Sequence, residues 1–76
     1  MNNQRRDSLR DVLRQLRQCQ STVSRVLDKE QECYDNIPES LQDTESYERR
    51  EQIIDALDEA VDKISEAIEN IDDAVA

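Results

Sequence analysis

The sequence predicts an all-α fold: an antiparallel helical hairpin of two long heptad helices, assembled as a dimeric four-helix bundle. Three observations lead there. Apolar residues recur at every seventh position in both halves of the 76-residue chain. The single proline, Pro38, stands between those halves, and the chain has no glycine with which to build other loops. A mean hydropathy of −0.95 with 38% charged residues leaves no continuous apolar run, so burial must come from helix faces.

The first helix is expected over about 8–36. Leu9, Leu16, Val23, Glu30 and Ile37 form one heptad row, Leu13, Gln20, Leu27 and Tyr34 a second, and Val12, Cys19, Val26 and Cys33 a third. Together they read as one wide apolar face. Ser8 followed by Asp11 approximates a capping box and sets the expected start. The turn, about 37–44, follows from Pro38, which disfavours helical geometry at Ile37. Pro-Glu-Ser-Leu suits one short helical turn, after which Asp43 or Thr44 caps the next helix.

The second helix is expected over about 45–75, inside one domain spanning 1–76. Its rows are Tyr47, Ile54, Val61, Ile68, Val75, then Arg50, Leu57, Ile64, Ile71, then Ile53, Ala60, Ala67, Ala74. A connection this short makes the helices antiparallel neighbours. Opposed residues in such a pair have numbers with a constant total. One register therefore sets Leu13 against Ile68, Gln20 against Val61, Leu27 against Ile54 and Tyr34 against Tyr47. It also sets Leu9 against Ile71, Leu16 against Ile64 and Val23 against Leu57, with Val12, Cys19 and Val26 facing Ala67, Ala60 and Ile53. The same register brings Glu30 to Arg50, an expected interhelical salt bridge between the charges that interrupt each face.

Two faces three rows wide exceed what a two-helix contact covers, and a chain this short is marginal as a self-sufficient core. A closed two-fold homodimer meets both needs. Docking onto a different protein would meet them equally. Cys19 and Cys33, fourteen residues apart on one helix, lie ~21 Å apart and cannot bridge intramolecularly. They read as small core residues in a reducing compartment. The alternative is an intersubunit crosslink, Cys19 to Cys33 in an antiparallel pair of first helices centred on Val26, or Cys19 to Cys19 and Cys33 to Cys33 in a parallel pair.

Composition excludes much chemistry. Without glycine there is no phosphate-cradling loop, and without histidine the usual general base and zinc ligand are missing. The two cysteines make no CxxC, and no EF-hand pattern occurs. No catalytic residue, cofactor or metal site is therefore expected. The absence of an apolar span predicts an intracellular chain without a membrane segment.

Charge divides sharply. Residues 1–28 hold six arginines against three aspartates, whereas residues 29–76 hold four basic and sixteen acidic side chains, within a total of −9. Folding the hairpin lays the arginine-rich start of the first helix beside the acidic end of the second, which favours internal pairing. Off the apolar rows of the second helix lie Asp55, Asp58, Glu59, Asp62, Glu66, Glu69, Asp72 and Asp73. They span ~27 Å of helix, one charge per ~3.4 Å, the phosphate spacing of a single nucleic-acid strand. The face reads either as a solvated surface or as a nucleic-acid mimic that fills the basic groove of a partner protein. The competing reading, nucleic-acid binding through Arg6, Arg10, Arg14 and Arg17, is opposed by the net negative charge and by the lack of interleaved aromatic residues.

The segment Tyr34-Asp-Asn-Ile-Pro-Glu-Ser-Leu-Gln-Asp, followed by a repeating Glu-Ala-hydrophobic helix, resembles small acidic helical-hairpin proteins of bacteriophages and prophages. The resemblance covers roughly residues 29–76, and its specific part is the turn. It implies a hairpin and a phage-linked setting in the cytoplasm of a bacterial host, without an assigned activity. Joined to the acidic face, it leads to an expected inhibitor of a host nucleic-acid-binding or defence protein, comparable to phage inhibitors of CRISPR effectors. A structural or scaffolding coiled-coil role in the virion would produce the same sequence features.

Overall fold

The computed structural model describes all 76 residues. Helix α1 (Asn3–Asp35) and helix α2 (Glu45–Val75) are joined through one 3-10 turn at Glu39–Leu41. The helices pack side by side into a rod with extents of 60 × 15 × 14 Å. This is the hairpin expected from the heptads.

Helix α1 begins earlier than the Ser8 box suggested. Asn2 is the cap: its side-chain oxygen accepts the Arg5 backbone N–H at 2.9 Å. The Ser8 hydroxyl donates instead to the Gln4 carbonyl at 3.1 Å, a bond made inside a helix already under way. Asparagine caps as well as serine does, and the residues from Asn3 to Asp7 are all polar, with Arg5 and Arg6 standing where two of the apolar rows would continue, so no apolar side chain advertises them as helical. At the far end, the Asn36 N–H reaches the Glu32 carbonyl at 3.2 Å before Pro38, in extended geometry (φ −58°, ψ 144°), ends the run.

Local hydrogen bonds hold the turn. The Leu41 N–H donates to the Pro38 carbonyl at 2.9 Å, and the Thr44 hydroxyl donates to the Leu41 carbonyl at 2.8 Å. Thr44 also accepts the Tyr47 N–H at 3.2 Å, which makes it the cap of α2. Glu45 and Glu48 in the first turn of α2 favour the positive end of its dipole.

The packing follows the expected register beside the turn and at the middle of the rod. The Tyr34 and Tyr47 rings stack with centroids 4.6 Å apart and planes 22° from parallel. Forty-one residues apart in sequence, the Gln20 side-chain amide donates to the Val61 carbonyl at 3.1 Å and also reaches the Ser65 hydroxyl. Leu9, Leu16, Val23 and Leu27 of α1 and Ile54, Leu57, Ile64 and Ile71 of α2, the rows the register sets against each other, are all half-buried. Only Leu13 is buried, at 3% exposure.

One expectation fails here. The third row of α1 lies outside the seam: Val12 is 39% exposed and Val26 45%, and Cys19 and Cys33 are both exposed free thiols rather than core residues. A two-helix contact reaches two rows of each helix, and the third is turned onto the flank.

Candidate protein-binding surface

The eight carboxylates proposed from sequence form one surface. Asp55, Asp62 and Glu69 make one row of α2, Asp58 and Asp72 a second, and Glu59, Glu66 and Asp73 a third. At 100° per residue these rows are neighbours around the helix, and all eight side chains are exposed. The rows also run further toward the turn than expected. Glu45, Glu48 and Glu51, all exposed, continue them, so the face extends along ~42 Å of helix. The heptad spacing that places Asp55 places these three as well.

Few of these charges are neutralised. Asp72 meets Arg17 at 3.1 Å and Glu66 meets Lys63 at 3.8 Å, while Asp55, Asp58, Glu59, Asp62, Glu69 and Asp73 enter no ion pair. The face therefore keeps a strong negative field directed away from the hairpin.

The arginine row behaves differently from the internal pairing expected of it. Arg17–Asp72 is the one ion pair that crosses between helices; Arg10 pairs with Asp7 at 3.2 Å and Arg14 with Asp11, both along α1. Local partners three residues away are reached with less side-chain ordering than partners on the other helix, and pairs this exposed stabilise by at most ~1 kcal/mol.

Glu30 and Arg50 are both half-buried, as residues on the seam must be, but the expected salt bridge between them does not form. Arg50 instead lines a shallow recess at the turn with Ile37, Leu41 and Tyr47. A guanidinium that keeps its head in water while its stem covers apolar surface gains little from closing such a pair.

The Tyr34 hydroxyl is pushed up to about 12 by its hydrogen bond to Tyr47, with desolvation and the Glu51 carboxylate adding to it. This belongs to the closed end of the hairpin, where the aromatic stack holds turn and helices together. No group of three or more cysteine, aspartate or glutamate side chains is placed to hold a metal ion. No helix is long and apolar enough to cross a membrane. Comparison with protein-family models, curated proteins and solved structures finds no match to this chain.

Proposed function

We propose that this chain is a non-enzymatic protein-binding module that works as a homodimeric four-helix bundle and fills the basic groove of a nucleic-acid-binding partner with the acidic face of α2. The observation that carries this reading is a band of three adjacent rows of exposed, largely unpaired carboxylates, whose mean spacing along the helix axis is close to that of charges on a nucleic-acid strand. A rigid helix holds these charges in place before binding, so little ordering cost falls on association. The likeness of the turn to phage-encoded hairpins supports a phage-linked setting, and joined to the acidic face it leads to an inhibitor of a bacterial host's nucleic-acid-handling or defence protein, acting in the cytoplasm.

The test is competitive release. Host proteins held on immobilised duplex DNA are challenged with the chain and with a variant carrying Asp55→Lys, Asp62→Lys and Glu69→Lys. Release by the wild type and not by the folded variant supports the reading; equal release by both removes the acidic face from it.

A scaffolding role has one observation in its favour, the 60 Å rod with unspent apolar surface along its side. Repeated head-to-tail association in solution, without release of any DNA-bound protein, would favour it. Direct nucleic-acid binding has less support, since Arg10, Arg14 and Arg17 are each paired with an aspartate.

A further inference from the structure

The two flanks of the hairpin are chemically opposite. One flank carries Arg17, Asp72 and Ser65, joined by the cross-helix ion pair and the Gln20 contact. The other carries the third row of α1, Val12, Cys19, Val26 and Cys33, beside half-buried Ile53, Ala60 and Ala67 of α2. The next rows outward are Ser8, Gln15, Thr22 and Lys29 on α1, and Arg49, Ala56, Lys63 and Asn70 on α2. The chain has 19 carboxylates, yet none falls in these four rows.

The hairpin also exposes too much surface for its mass. Its accessible area is 5823 Å², about 1,000 Å² above the ~4,800 Å² of a compact protein of 8.9 kDa. A standard stable interface takes about 800 Å² from each partner. The surplus and the carboxylate-free flank fit the same event.

A second copy suits this flank by symmetry and by charge. Chains of net charge −9 repel one another, and this is the side on which two copies meet without opposing carboxylates. Cys19 is the midpoint of α1 and Ala60 the midpoint of α2, and the hairpin register sets these two opposite each other. A two-fold axis at that level overlaps both helices along their full length. It lays Val12 on the partner's Val26 and Gln15 on the partner's Thr22. It also brings Asp11 to the partner's Arg25, which has no ion pair within the hairpin. Small side chains, Cys19 and Ala60, then occupy the centre, where helices approach most closely. Centring on Val26 instead would oppose Arg25 to its own copy and leave the first half of α1 uncovered.

We propose that two copies pair through this carboxylate-free flank, α1 antiparallel on α1 and α2 on α2, about a two-fold axis between the two Cys19 residues. The inference rests on the homodimer proposed above and adds its face and its register. Cys19 faces itself across the axis, whereas Cys33 faces the partner's Arg5.

Sedimentation equilibrium of the wild type, Cys19→Glu and Cys33→Glu tests it, with helicity by circular dichroism to show that each exposed-site variant folds. The expected result is a wild-type mass of twice 8.9 kDa. Cys19→Glu weakens the dimer by at least about tenfold, because two carboxylates are forced together at the axis, and Cys33→Glu changes it by less than about threefold. A wild-type dimer weakened equally by both substitutions, more by Cys33→Glu, or by neither, overturns the proposed face and register while leaving a homodimer in place. A wild type that stays monomeric overturns the homodimer itself.

Discussion

Tyr34 and Tyr47 stack where the turn closes the hairpin. Both were legible as partners from the register, but their stacking was not, because ring geometry depends on how the turn seats the chain. The raised Tyr34 value has a definite consequence for stability. The folded chain keeps the Tyr34 proton through the interval from 10.0 to about 12, in which an unfolded chain releases it. The contribution is fully present below pH 10 and is lost as pH rises through that interval. Thermal unfolding measured on both sides of pH 10 should show a fall in stability that Tyr34→Phe reduces; an unchanged fall in that variant would contradict the assignment. Glu30 and Arg50 teach the complementary lesson. Their positions on the seam could be read from spacing, whereas the absence of an ion pair depends on where a long side chain places its head. A double-mutant cycle with Glu30→Leu and Arg50→Leu should give a coupling below about 0.5 kcal/mol, and Glu30→Leu alone should cost no stability. A coupling above about 1 kcal/mol would show that the pair closes in solution.

At the scale of elements, α2 was legible to its ends because its apolar rows, its Thr44 cap and its acidic first turn all agree. The start of α1 was not, since two adequate caps, Asn2 and Ser8, lie six residues apart and no apolar row decides between them. Capping energetics separate the two. Asn2→Ala should cost about 1 kcal/mol and increase amide exchange over Arg5–Ser8, while Ser8→Ala should be neutral or slightly stabilising inside the helix. The opposite ranking would place the true start at Ser8. The third row of α1 was correctly identified as apolar, but its burial was assigned to the hairpin. Heptad spacing gives the row its angle around the helix and leaves open which neighbour covers it, so the seam and the flank look alike in sequence. The same ambiguity made Cys19 and Cys33 read as core residues.

At the scale of the whole molecule, the rod has a radius of gyration of 17.4 Å, against ~11 Å for a compact chain of this length. Two helices alone bury one side chain, Leu13, so the hairpin offers three separate surfaces: a charged flank crossed by a single ion pair, an apolar flank free of carboxylates, and an outward acidic face. The acidic face was legible because every one of its members follows from heptad position, including the extension to Glu45, Glu48 and Glu51. The partner proposed for it would be selected by complementary charge on another molecule, which no spacing in this chain records. The most direct measurement is the release of DNA-bound host proteins as salt is raised, comparing the wild type with the neutral isosteres Asp55→Asn, Asp62→Asn and Glu69→Gln. The isosteres keep side-chain shape and remove only charge. If the face acts as a polyanion, release by the wild type falls steeply with salt, and the triple isostere is weaker by at least about tenfold at low salt with a shallower salt dependence. Equal potency and equal salt dependence in the two proteins would contradict the account.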